Sequence, residues 1–327
     1  MLMRVSPIAA MCLATVMGTA CREARPAQPA AVRSELSAPP ARPQLLYVSV
    51  ASDDTFRRVA VVPLAAPTSA RFVTPLQCQR VYFNGTHGIC LTSTLSGVTS
   101  SWWGEVFNER FESVARVELT GEPSRVRVSP DGTLAAATVF EEGHSYADHR
   151  FSTRTSLTKL PSGQSLGDLE QFVTFKDGKR VTAVDVNFWG VSFARDSDTF
   201  YATLDTAGVS YLVRGSVAQR RMDVVYTGIE CPSLSPDNTQ IAFKKRIGAR
   251  ERGWWQVAVL NLQTMKEHLV SAEARSVDDQ VEWLDNDRVI YHLTDGSTAA
   301  DLWVVRVDNT AKPELLVPAA YSPAVVR

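Results

Sequence analysis

A strand–turn–strand phrase recurs along this chain and constrains its fold more than any other feature. Ser124–Ala137 reads SRVRVSPDGTLAAA, Trp189–Ala202 reads WGVSFARDSDTFYA and Cys231–Phe243 reads CPSLSPDNTQIAF. A more worn copy, Gln280–Tyr291, reads QVEWLDNDRVIY. Each is an apolar-alternating run, a polar turn and a second β-rich run, the period-two pattern of a hairpin. One hairpin cannot bury its own faces. Repeats spaced by roughly forty to sixty-five residues therefore predict an all-β ring of stacked blades.

Counting inner strands closes that ring at six. The first blade starts at Gln79–Asn84 and turns through Gly85–Gly88 into Ile89–Thr92, with Glu105–Phe111 and Ser113–Leu119 as its outer strands. The next four blades start near Arg125, Phe188, Cys231 and Gln280. A sixth inner strand fits Ser322–Arg327, whose Ser-Pro-Ala-Val echoes Cys231–Leu234. Its partners are at the other end of the chain, in Leu45–Val50, Arg57–Val62 and Arg71–Thr74. Pairing the two termini in one blade leaves no open edge at the seam. Residues 44–327 then supply about 47 residues per blade, inside the propeller range.

The N-terminus reads as a processing signal. Residues 1–20 hold one positive charge at Arg4, an apolar or small run over Val5–Thr19, and a small-residue site before Cys21. Such a segment is too short to remain as a membrane-spanning helix. It resembles a bacterial lipoprotein signal, which implies a lipid on Cys21; cleavage after Ala20 without lipid is the simpler alternative. Residues 21–43 are rich in Pro, Ala and Arg, and predict an extended, disordered tether. An exported protein, in the periplasm or at the cell surface, follows. With 34 Lys and Arg against 35 Asp and Glu, no global field favours nucleic acid.

The Ser-Pro-Asp-Gly turn before a Leu-Ala-Ala strand resembles the WD40-like propeller repeat of the TolB family, across essentially everything after Pro43. Asn187–Gly190, Glu230–Pro236, Ser276–Leu284, Gly143–Ala147 and Phe151–Thr155 resemble a secreted bacterial group of TolB-like proteins. TolB carries a small α/β domain before its propeller and docks a peptidoglycan-associated partner in the ring mouth. This chain has a tether in place of that domain. The resemblance implies a binding scaffold; the expectation is a non-enzymatic one that binds a protein or peptide of the envelope, as a monomer and without a cofactor.

Catalytic signals are sparse. Gly163–Gly167 fits the G-x-S-x-G pattern, but Ser165 follows a Pro161-Ser-Gly turn in a β region, so it predicts a loop between blade strands and not a nucleophile elbow. Glu141, Glu142, His144, Asp148 and His149 share one polar loop without the spacing of a metal motif. Asp196–Asp198 and Asp285–Asp287 sit where the repeat needs a turn, which Asx side chains cap. No catalytic or metal-binding residue is assigned.

In a propeller the inner strands begin at the face where ligands commonly bind. That rule makes Arg80, Arg125, Asn187, Trp189, Glu230, Asp278, Asp279 and Gln280 candidates for a ring-mouth site. Lys244, Lys245 and Arg246 join them from the end of a second strand. Charges there suit a pocket rim; ion pairs that staple adjacent blades account for them equally. Trp102, Trp103, Trp254 and Trp255 read as packing between blades or as stacking surfaces for sugars. A small-molecule or glycan binder, and a propeller hydrolase or lyase built on a central metal, are the competing functions.

Cys78, Cys90 and Cys231 remain after the signal. Pairing Phe83 with Ile89 places Cys90 opposite Tyr82, four residues from Cys78. That is roughly 13 Å at ~3.3 Å per residue, beyond the ~7 Å a disulfide spans between Cα atoms. Free, mostly buried thiols are predicted.

Overall fold

The computed structural model describes residues 35–96, 99–141, 152–248, 253–294 and 299–327. The expected signal, Cys21, most of the tether and the loop holding Glu142, His144, Asp148 and His149 lie outside the described residues, as do Gly143–Ala147 and Phe151. Six sheets, antiparallel except for one added strand, form the six blades of a propeller. Their inner strands are Arg80–Phe83, Gly121–Val128, Asn187–Phe193, Glu230–Leu234, Glu282–Trp283 and Ala320–Val326, for blades 1 to 6. We call the face where these strands begin the upper face, and the face where they end the lower.

The seam closes as the sequence predicts. Ala320–Val326 pairs with Gln44–Ser49, which pairs with Arg58–Pro63 and then Phe72–Gln77. Leu46, Val59 and Ala324 of this blade pack with Phe83 and Phe107 of blade 1, so the joint is buried. The chain preceding Gln44 also touches the ring: Leu36 N–H donates to Arg71 O at 2.7 Å, and the Arg42 guanidinium donates to the Gly85 carbonyl.

Blade 3 is larger than the repeat implies. Val173–Lys176 adds in parallel to its outer strand Arg221–Thr227, and Lys179–Arg180 pairs onto that. Blade 1 differs in register. Its third strand runs Thr99–Asn108, and Phe111 sits in the following turn at φ 61°, buried against Phe72, Phe83 and Phe107.

The cysteine expectation is corrected. Cys78 and Cys90 form a disulfide with Cα atoms 5.3 Å apart. Tyr82 pairs with Ile89 and Val81 with Cys90, and the inner strand starts only at Arg80. Cys78 therefore belongs to the connection from blade 6 into blade 1, where its N–H bonds Arg57 O at 2.8 Å. The rise per residue of an extended strand does not apply across that bend. Cys231 is a buried free thiol.

The repeated turns are built from the same hydrogen bonds. Ser129 Oγ donates to Asp131 Oδ1 at 2.6 Å, and Asp131 Oδ1 accepts the Thr133 N–H at 3.0 Å. Ser235, Asp237 and Thr239 repeat both contacts at 2.6 and 3.0 Å. Asp196 and Asp285 likewise cap their own turns. A left-handed residue follows each Asp of the first two turns, Gly132 at φ 71° and Asn238 at φ 64°, as this turn chemistry requires. Inner strands also carry bulges near their starts, at Ser124, after Trp189, after Glu230 and opposite Tyr47. Gly190, in one of these, has φ 67°, and a Cβ there would meet Cys231 Cα at 2.8 Å.

Candidate functional site

The inner strands aim alternate residues at the axis. Arg80 and Tyr82, Arg125 and Arg127, and Gln280 and Glu282 are each two apart, so each pair faces the channel at two levels. The upper level, lined by Arg80, Arg125, Asp279 and Gln280, encloses only about 20 Å³. The lower level opens into a cavity of about 340 Å³.

At the upper face most of the sequence candidates converge. Lys244, almost fully buried, pairs with the half-exposed Asp278 and lies 4.1 Å from the Trp255 ring centroid. Arg246 covers the same ring at 3.7 Å and pairs with Glu230 at 3.3 Å. Burial pushes the Glu230 carboxyl above the usual carboxylate range against the pull of Lys244 and Arg246. Burial also opposes ionisation of Asp278, but Lys244 and Arg125 outweigh it and hold that carboxyl low.

Asp279 is held still lower. Its burial is overcome by His292, whose Nδ1 lies 2.6 Å away, and by Arg125 and Arg80. Gln280 crosses the channel, donating to Val191 O of blade 3 at 3.1 Å and Pro232 O of blade 4 at 2.8 Å. Arg80 donates to Ser124 O at 2.7 Å, and Arg125 to the same carbonyl at 2.9 Å.

Three candidates stand apart from this cluster. Asn187 accepts the Thr153 N–H at 3.0 Å, at the joint of blades 2 and 3. Trp189 is buried in its strand. Lys245 points to the opposite side of its strand from Lys244 and pairs with Glu267 of the outermost strand. Of the other tryptophans, Trp103 packs under Arg116 at 4.1 Å.

Below this cluster an ion pair bridges opposite blades. Arg127 of blade 2 reaches Glu282 of blade 5 at 3.4 Å, and its guanidinium donates to Val281 O at 3.0 Å. It also lies 4.8 Å from the Tyr82 ring centroid, while the Tyr82 hydroxyl donates to Glu282 at 3.1 Å. Burial and the Glu282 charge push the Tyr82 phenol well above its ordinary range. The bridge spans the axis between the two levels and lines the lower cavity. Sequence reasoning missed Arg127, Tyr82 and Glu282; their period-two spacing from Arg125, Arg80 and Gln280 is the signal that finds them.

The G-x-S-x-G segment lies in the outermost strand of blade 2, Gln164–Asp168. There the Ser165 hydroxyl accepts the Gly167 N–H at 3.2 Å, at an exposed edge. Among the described residues no group of three or more His, Cys, Asp or Glu side chains is placed to hold a metal ion. No helix among them is long and apolar enough to cross a membrane.

Six blades around a common axis, five of four strands and one of six, invite comparison with solved propellers. The TolB structure from Acinetobacter baumannii superposes with a TM-score of 0.58 at 14% identity, covering 87% of this chain and 66% of that one. The fold is a TolB-like six-bladed β-propeller. The chain thus spans just under two thirds of that TolB's length. TolB from Agrobacterium tumefaciens matches at TM-score 0.52 and 12% identity, over 85% of this chain and 90% of that one. A chain of a nidogen/laminin complex matches at TM-score 0.57 and 10% identity, over 87% and 98%. No protein-family model matches the propeller's sequence, and no curated protein does.

Proposed function

We propose that this propeller is an exported, non-enzymatic scaffold, tethered to the envelope through its N-terminal segment and a lipid on Cys21, which binds a protein or peptide on its upper face. One observation carries the reading. Of the ten large hydrophobic side chains exposed among the described residues, Phe56, Leu95, Val184, Val209 and Trp254 all stand at the upper face. They come from four blades, in or at the strand ends beside the connections between second and third strands, or just before an inner strand. Val184 is 100% exposed and Leu95 74%. Apolar tips around a charged centre have the make-up of an interface, with anchors to bury and polar groups to fix register. The nidogen/laminin neighbour, taken from a complex of two proteins, agrees with this use of the fold.

The test is a cross-linked pull-down from the native cell envelope with three baits. These are the unmodified propeller, a Phe56→Ser/Trp254→Ser variant, and a lower-face control, Met265→Ser. One protein captured by the first and third and lost by the second is the expected result. Equal capture by all three, or by none, overturns the reading. Exposed tips are preferred as targets because Lys244 and Asp279 are buried and paired, so changing them perturbs the fold itself.

A further inference from the structure

The lower cavity lies on the opposite face from the upper cluster and is lined by different residues. All six inner strands contribute to its wall, and the Arg127–Glu282–Tyr82 bridge is its floor. Its volume of about 340 Å³ falls within the range of small-molecule pockets, ~300–1,000 Å³. Phe83, Phe193, Leu234 and Val325 supply apolar lining.

The charge in this pocket is one-sided. Arg127, Arg195 and Arg327 line it, against one carboxylate side chain, Glu282, which Arg127 already pairs. Neither Arg195 nor Arg327 forms a salt bridge among the described residues. Each is instead tied by one nitrogen to a neighbouring blade's backbone. Arg195 Nη2 donates to Pro236 O at 2.7 Å, and Arg327 Nη2 to Trp283 O at 2.6 Å. A guanidinium has five N–H donors in a fixed fork, so these tethers orient both groups at the rim and leave donors over. Guanidinium forks match carboxylate and phosphate oxygens, and a concave wall concentrates their field.

We infer that the lower cavity binds a small organic anion, its carboxylate or phosphate held at the rim by Arg195 and Arg327 and its apolar body within the wall. The floor supports this orientation. Arg127 is paired there with Glu282, so the guanidinium groups that form no salt bridge among the described residues stand at the mouth.

Isothermal titration of the propeller with benzoate, phenyl phosphate and the neutral benzamide tests it. Both anions bind and benzamide does not. Arg195→Ala and Arg327→Ala each weaken the anions about 10- to 100-fold, the worth of a lost charge-assisted hydrogen bond, while Lys245→Ala changes nothing. Thermal melts of the same variants separate a lost site from a lost fold. Absence of anion binding, equal binding of benzamide, or anion affinity indifferent to both arginines overturns the assignment. Each of these outcomes leaves the upper-face pull-down untouched, so the two readings fail separately.

Discussion

The two ends of the channel are built from the same six strands and come out opposite in character. The upper end is filled: its charges are partnered by neighbouring side chains, and the void among them is about 20 Å³. Its apolar groups stand outward at the loop tips. The lower end is hollow, with about 340 Å³ among mixed polar and apolar lining, and two arginines without a salt bridge among the described residues sit on the rim. The difference teaches that the strand repeat sets the ring, whereas the residues two apart on each inner strand decide what each end offers.

The sharpest way to break this comparison is to remove the wall between the ends. Glu282→Ala leaves Arg127 buried without its carboxylate, and takes acceptors from Tyr82 and from the Val325 N–H at 3.4 Å. Orphaning one partner of a buried pair costs about 3–5 kcal/mol, whereas replacing both by apolar residues is often neutral. Urea unfolding is expected to show that loss for Glu282→Ala and to recover most of it in Arg127→Met/Glu282→Leu. A Glu282→Ala loss under about 1 kcal/mol would mean that water reaches the pair and the channel is open.

The next largest effect lies at the upper end of the seam. Cys78 and Cys90 close a loop of sequence separation 12. Loop entropy assigns about 2–3 kcal/mol to such a cross-link. Cys78→Ser/Cys90→Ser should lower stability by that amount in non-reducing buffer, and dithiothreitol should lower the unmodified protein to the same level.

How much of this was legible in the sequence depends on the range of the interaction. The hairpin turns were readable because Ser129, Asp131 and Thr133 bond one another within four residues, and Ser235, Asp237 and Thr239 repeat the pattern. The seam was readable because Ser322–Val326 echoes Cys231–Leu234. The disulfide was misread because a straight strand was assumed through Cys78, where the chain bends between blades. The parallel strand Val173–Lys176 has no counterpart in the repeat, so no periodicity announces it. At the upper face the structure brings Glu230, Lys244, Arg246 and Asp278 into one region. Lys245 was not separable from Lys244 until the strand fixed which side each faces. Arg127 and Glu282 lie 155 residues apart and meet only because blades 2 and 5 are opposite in a ring of six.

Protonation tests the filled end directly. The Asp279 carboxyl is held below its ordinary range by His292, Arg125 and Arg80 despite burial. A depressed carboxylate stabilises the fold at pH values above its unfolded pKa, ~3.9, and that stabilisation is lost as pH falls through the folded value. The stability difference between the protein and Asp279→Asn should therefore shrink steadily as pH falls from about 5 to below 4. Taking the difference cancels other depressed carboxylates such as Asp131 and Asp237, which titrate in the same window. A difference that grows in acid would place the stabilising partnership elsewhere.

The smallest expected effect is the most telling about the upper face. Leu95 and Val184 are exposed tips, and exposed substitutions away from special features change stability by within about 0.5 kcal/mol. Leu95→Ser/Val184→Ser should therefore unfold in urea at the midpoint of the unmodified protein, with the same slope. Such neutrality is what the interface reading requires, because a side chain that contributes nothing to the fold is available to contribute to a partner. A loss above about 1 kcal/mol would show that these side chains are buried by something within the chain. The upper face would then be as filled at its tips as it is at its axis.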